Sequence, residues 1–317
     1  MIDGQISNLI PVTVLWGDPR LVDSLLDRNG DPQQQILGRA NSHRPGPNVA
    51  RPAITGSRTP GCRCCQSRLD LVDAIRTLVE RPAPPTHLIV ALSNSDDPLV
   101  AVRTLLAEPD LAAIVDLDAV VATVSATSLA TRIATDQSLK DGYLLDALAI
   151  ADRVIVADAG LVTADARSAV TEVLGGITQV GTIMCREELV RPATELLGAW
   201  HGIPPVANGG EYLVPPDGIP GTLRCTLPGS VDPLQFERWL DATIATYGSR
   251  LCRVQGVVQV HSHREPICLR GALSYASTHS GHGGTNHPAW QGSTFVIVGY
   301  ELDHADLAHG FHATAQH

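Results

Sequence analysis

The sequence predicts an α/β protein: a parallel-sheet domain followed by a smaller α+β domain. Three observations lead there. Short apolar runs alternate with helix-length segments through the first part of the chain. Pro, Gly and Asn then cluster between Pro204 and Pro220. Beyond that cluster the pattern changes to several strands and two helices, so the fold class changes with it.

The first apolar run is Val12–Trp16, long enough for a buried strand and closed by Gly17. The runs His87–Leu92, Val120–Val124, Val154–Val156 and Val180–Met184 repeat that pattern. Amphipathic stretches such as Leu69–Val79 and Ala164–Leu174 lie between them. Strands separated by helices imply parallel pairing through right-handed crossovers. Sheets of this kind bind ligands at their C-terminal strand ends. Residues 29 to 60 are rich in Pro, Gly, Asn, Ser and Arg and are expected to form a mobile loop. The expected domains are 1–205 and 220–317, joined by a linker over 206–219.

In the second domain a strand is expected at Thr222–Leu227. Asp232 suits an N-cap, with Pro233 at the first helical position. Phe236, Leu240, Ile244 and Tyr247 then fall on one helix face, which reads as core. Strands around Leu251–Val260, Pro266–Leu273 and Thr294–Tyr300 follow, with a last helix from Asp303.

The segment richest in chemistry is Gly61-Cys62-Arg63-Cys64-Cys65, which holds three of the chain's 7 cysteines. Thiolates this close can share one soft ion, Zn²⁺ or Cu(I). The run is expected to be a tight loop entering a helix, whose N-terminus favours the thiolate form. The competing reading is that these cysteines are buried or oxidised. His43 is a candidate fourth ligand. Nine of the 12 histidines lie from His261 onward. Among them His279 and His282 are expected in a Gly-rich loop that either holds or passes a metal or is plain solvated surface.

The Cys run followed by an amphipathic segment resembles the CobW-like family, GTP-dependent metallochaperones and metal-insertion factors. The segment Ala151–Val162 is similar to the family's ADxxxxNKxDLV motif. So are Leu227-Pro228-Gly229, Phe236, Trp239, Arg253-Val254-Gln255-Gly256, Trp290 and Leu302-Asp303 to landmarks of its C-terminal domain. The resemblance implies a P-loop-NTPase-like first domain and a CobW-type second one.

The same resemblance marks where nucleotide chemistry has gone. A P-loop needs a Gly-rich turn, a Lys for the phosphates and a Ser or Thr for Mg²⁺. The matching place runs from Gly17 through Asp18 and Asp23 to Ser24, with one Gly and no Lys. The only lysine of the chain is Lys140. Asp18 and Asp23 put negative charge where phosphates would sit. Ala91 stands where the family's Glu is expected, and Gly160 where the guanine-reading Asp is expected. This vestigial site leads to the expectation of a pseudo-GTPase that binds zinc and not GTP.

Composition narrows the rest. A net charge of −10 at pH 7 argues against broad nucleic-acid binding. No apolar stretch of about 18 residues is present, so no membrane helix is expected. The N-terminus does not read as a signal peptide, and an odd number of cysteines does not read as a disulfide framework. A cytoplasmic location is expected. The expected partner is a client metalloprotein, docking on 220–317. The alternatives are a ribosome- or protein-binding factor of zinc starvation, and a true GTPase with a non-standard P-loop.

Overall fold

The computed structural model describes residues 9–26, 34–38, 49–50, 63–135, 137, 139, 142–177, 182–185, 218–261, 266–272, 275–280 and 292–316. Strand β1 (Ile10–Gly17) runs up the middle of the first sheet. It is flanked by β4 (His87–Ser93) and β5 (Val115–Ser125). Beyond β4 lie β2 (Gln34–Gly38) and β3 (Val49–Ala50); beyond β5 lie β6 (Arg153–Ala157) and β7 (Thr182–Cys185). All six pairings are parallel.

A strand buried on both faces carries apolar side chains at successive positions. In β1, Val12, Val14 and Trp16 enter the larger core, while Leu15 enters a smaller one on the opposite face. Helix α1 (Pro19–Leu26) packs on that smaller side through Val22 and Leu25. On the larger side lie α2 (Arg63–Val79), α3 (Pro98–Ala107), α4 (Pro109–Ala112), α5 (Ala126–Ala134), α6 (Leu144–Ile150) and α7 (Ala164–Ile177).

One expectation needs correction. The Pro- and Gly-rich stretch of residues 29 to 60 contains β2 and β3, which extend the sheet. Ile36 and Leu37 are buried there, and their apolar bulk between polar flanks is what recruits the segment.

The second sheet is antiparallel. It contains β8 (Gly221–Leu227), β9 (Leu251–Val258), β10 (Ile267–Ala272), β11 (Tyr275–Ser280) and β12 (Ser293–Gly299), in the order β11-β10-β9-β12-β8. Helices α8 (Pro233–Tyr247) and α9 (His304–His312) cover one face. Both start as the sequence indicates. Asp232 accepts from the Gln235 N–H at 2.9 Å, and Asp303 from the Asp306 N–H at 3.0 Å. Phe236, Trp239, Phe295 and Phe311 form the aromatic centre of that core. Gly256 makes room for it, since a Cβ there would lie 2.4 Å from Phe295 Cδ2.

The other face of this sheet lies against the first domain. Cys252, Ala272, Val296 and Val298 belong to the same apolar cluster as Val12 and Leu148. Helix α3 packs on β1 and β5 and also on β10 and β11, so it is shared by both sheets.

Candidate functional site

In a parallel sheet every strand delivers its C-terminal end to one edge, and the nucleotide positions singled out in the sequence lie towards that edge. At the end of β1, Gly17 has φ +153 and lies tight against β5: a Cβ would sit 1.8 Å from Thr123 Oγ1. Thr123 Oγ1 donates to the Trp16 carbonyl at 3.2 Å, which fixes the approach. Only Asp18 then separates β1 from α1.

This connection leaves no loop to wrap a phosphate. The Asp18 carbonyl accepts the N–H groups of Leu21 at 2.9 Å and Val22 at 3.0 Å. Its carboxylate Oδ1 accepts the Arg20 N–H at 2.9 Å. A helix N-terminus attracts anions because its first N–H groups lack partners. Here the chain supplies the anion itself. Asp23 and Ser24, expected beside the phosphates, are placed further along α1, in its second turn.

The end of β4 is also committed to structure. Ala91 is buried, sits opposite Leu15 in the register, and contributes a methyl group to the smaller core. Past it, Asp96 Oδ2 accepts from the Ser93 N–H at 2.9 Å and the Ser93 hydroxyl at 2.8 Å. The Asp96 carbonyl accepts the Trp16 indole N–H at 2.9 Å. Asp97 caps α3 by accepting from Leu99 N–H at 2.9 Å. Burial raises its pKa above the ordinary carboxylate range, with nearby Asp146 adding to the effect.

At the end of β6, Asp158 adopts a left-handed conformation with φ 60, and a short 3-10 turn follows over Ala159–Leu161. Gly160 is exposed on that turn and offers no side chain. Between the ends of β1, β4 and β5 lies an open cavity of about 170 Å³, lined in part by Trp16, Asp18, Asn94, Ser125, Arg132 and Tyr143. No lysine lines it.

The Cys run is placed differently from expectation. Helix α2 already begins at Arg63, so Cys64 and Cys65 belong to its first turn and not to a loop. Because α2 feeds the start of a parallel strand, its own N-terminus lies at the same sheet edge as Asp18 and Ser93. Cys62, His43 and His282 lie outside the described residues. His279, expected in a Gly-rich loop, belongs to strand β11, where it pairs in register with Cys268 on β10. Among the described residues no group of three or more His, Cys, Asp and Glu is arranged to hold a metal ion. No helix among them is long and apolar enough to cross a membrane.

Sequence reasoning passed over one centre. Asp152, just before β6, is buried and meets Arg253 and Arg270 from the second sheet at 2.5 and 3.4 Å. Burial works against its charge, but the two guanidiniums and the Val120 N–H outweigh it and hold its pKa below the usual range. The sequence gives no signal for this pairing, because Arg253 lies 101 positions away.

Comparison with known proteins agrees with this geometry. A family model for the CobW/HypB/UreG nucleotide-binding domain matches residues 51–184. The model for the cobalamin synthesis protein cobW C-terminal domain matches residues 221–315. No curated protein matches the chain in sequence. Two crystal structures share the fold. The Zn(II)-bound YjiA GTPase from E. coli superposes with TM-score 0.63 at 16% identity, covering 97% of this chain and 99% of that one. A Zn(II)-bound triple mutant of YjiA GTPase gives 0.64, with the same identity and coverage.

Proposed function

Because the chain belongs to the CobW family, we propose that it handles zinc without nucleotide control, as a metallochaperone-type pseudo-GTPase. The observation that carries this reading is Asp18. Its carboxylate occupies the helix N-terminus where a P-loop protein would present N–H groups to a phosphate. Ala91 and Gly160 agree with it, since neither position supplies the acid that Mg²⁺ or guanine recognition needs.

Zinc is the cargo in this reading. The Cys62, Cys64 and Cys65 thiolates suit a soft divalent ion, and the N-terminus of α2 favours their deprotonated form. Both structural relatives are described as Zn(II)-bound, which supports the choice of metal. A ligand with no differential affinity for two states shifts nothing, so a chain that does not sense phosphate releases metal independently of GTP. Release then depends on the client protein that receives the ion.

The test is a zinc titration under reducing conditions, with and without Mg²⁺-GTP. About one zinc per chain is expected, at an affinity unchanged by nucleotide. The Cys64→Ser, Cys65→Ser double variant should lose that zinc. Full retention by the double variant rules out the Cys run, and a GTP-dependent affinity rules out the pseudo-GTPase assignment.

A further inference from the structure

We propose that the cavity between the ends of β1, β4 and β5 binds a small zwitterion, a free neutral α-amino acid of leucine size. This goes beyond the zinc reading above and draws on no residue of the Cys run.

The cavity follows from topology. Strands β1 and β5 are neighbours, but α1 leaves β1 towards the smaller core and α5 leaves β5 towards the larger one. Helices that part to opposite faces open a crevice at the C-terminal strand ends, where open α/β sheets bind ligands. The crevice holds about 170 Å³. A cavity of about 150 Å³ accommodates benzene, whereas pockets for drug-sized molecules run to about 300–1,000 Å³. The space therefore suits a molecule of amino-acid size and is small for a nucleotide.

Its polar groups come from four separate elements. Ser125, Ser128 and Arg132 recur at helical spacing, so α5 lines the cavity with two hydroxyls and a guanidinium along one face. Ser125 caps α5 by accepting the Ser128 N–H at 3.3 Å, which fixes the start of this wall. The β1–α1 junction supplies Asp18, half-buried. Its Oδ1 accepts the Arg20 N–H, while Oδ2 accepts no hydrogen bond from a described residue. The Ser128 hydroxyl, the Asn94 amide past β4 and the Tyr143 hydroxyl before α6 also make none to the described residues. Convergent polar groups left unengaged around a cavity are what a small-molecule site requires.

The charges choose the ligand class. Among the described residues lining the cavity, the charged ones are one carboxylate, Asp18, and one guanidinium, Arg132. An ion of either sign entering alone meets one attraction and one repulsion. A neutral molecule with separated charges meets two attractions. Its ammonium goes to Asp18 and its carboxylate to the Arg132 fork and the Ser128 hydroxyl. The residue that turns a phosphate away is thus the one that recruits an amine. The apolar part of the ligand lies on Leu129, Leu144 and the ring of Trp16, whose N–H is already committed to the Asp96 carbonyl. Free neutral α-amino acids have this layout, and leucine matches the volume.

The experiment is calorimetric titration of the full chain with three probes: L-leucine, leucinamide, which lacks the carboxylate, and 4-methylpentanoate, which lacks the ammonium. Leucine is expected to bind once per chain with a dissociation constant of about 100 μM, and both analogues at least tenfold more weakly. Arg132→Gln should weaken leucine at least tenfold and leave leucinamide unchanged. Asp18→Asn, which keeps a capping side chain, should weaken leucine at least tenfold and leave 4-methylpentanoate unchanged. A merely structural role would not produce this matching of variant to probe. Far-ultraviolet circular dichroism confirms folding, and the two analogues on the parent chain carry the test where a variant misfolds. No saturable leucine binding up to about 10 mM, analogues that bind as well as leucine, or a folded variant that weakens all three probes alike or none of them, overturns the site. The zinc reading fails separately, when the chain binds no zinc.

Discussion

Asp152 and Arg253 form a buried ion pair at 2.5 Å that joins the two sheets of the protein. The carboxylate belongs to the turn entering β6, and the guanidinium to the middle of β9. Each is fully engaged. Asp152 Oδ2 accepts the Val120 N–H at 2.7 Å, and Arg253 also donates to the Ala151 carbonyl at 2.6 Å and to Gln255. Arg270 adds a second guanidinium to the same carboxylate and donates to two carbonyls of β5. A buried charge is tolerated only with this degree of satisfaction.

Removing Asp152 leaves two arginines facing each other without their anion. Asp152→Ala is therefore expected to cost about 3–5 kcal/mol of stability. Urea unfolding measures it as a lower midpoint. A loss below about 1 kcal/mol would show that solvent replaces the carboxylate at no great cost.

The pH dependence follows from two opposite shifts. The pKa of Asp152 is lower in the fold than in the unfolded chain, through Arg270 and Arg253 working against burial. Its contribution is present above the unfolded value of about 4 and is lost as pH falls through the folded value. Asp97 and Asp146 are raised, chiefly by burial, with Asp146 adding its charge at Asp97 and the Tyr300 hydroxyl pulling Asp146 back. These two oppose folding while ionised, so stability rises as pH falls through their folded values towards the unfolded value of about 4. Thermal unfolding across pH should show a maximum on the acid side of neutrality, and Asp146→Asn should flatten that rise.

Gly17→Ala tests the closed β1–α1 connection. The new methyl group would meet the Thr123 hydroxyl at 1.8 Å and its carbonyl at 2.5 Å, and the φ of +153 disfavours any side chain. Backbone on both strands must move, at an expected cost of at least about 2 kcal/mol. Thr123→Ala in the same chain removes only the hydroxyl contact and should recover part of the loss.

Nucleotide binding is expected to be weak. With a single residue between β1 and α1, no lysine from Gly17 to Ser24 and a carboxylate on the N-terminus of α1, the dissociation constant for Mg²⁺-GTP should exceed about 100 μM. Isothermal calorimetry decides it, and a micromolar constant would restore GTP control.

Much of the architecture was legible in the chain. The apolar runs at Val12, His87, Val120 and Val154 became strands, because a two-sided buried strand needs continuous apolar side chains. The caps at Asp232 and Asp303 were equally plain, since the capping bond spans only three residues. Strands β2 and β3 were hidden by their Pro- and Gly-rich flanks. They are short, and the pairing of β2 with β4 and of β3 with β2 is set by tertiary contact rather than local preference.

The sequence by itself determined the family, the fold class of both domains with most of their strands, and the loss of Lys, Glu and Asp from the nucleotide positions. These are properties of residue type and spacing, carried by local backbone chemistry. Tertiary structure alone decided that β2 joins β4, that Thr123 bonds the Trp16 carbonyl beside Gly17, and that Asp152 receives two arginines more than 100 residues away. Such pairings depend on how distant segments pack. The free energy that fixes them comes from burying the two sheets against α3 and α6, and no local pattern records it.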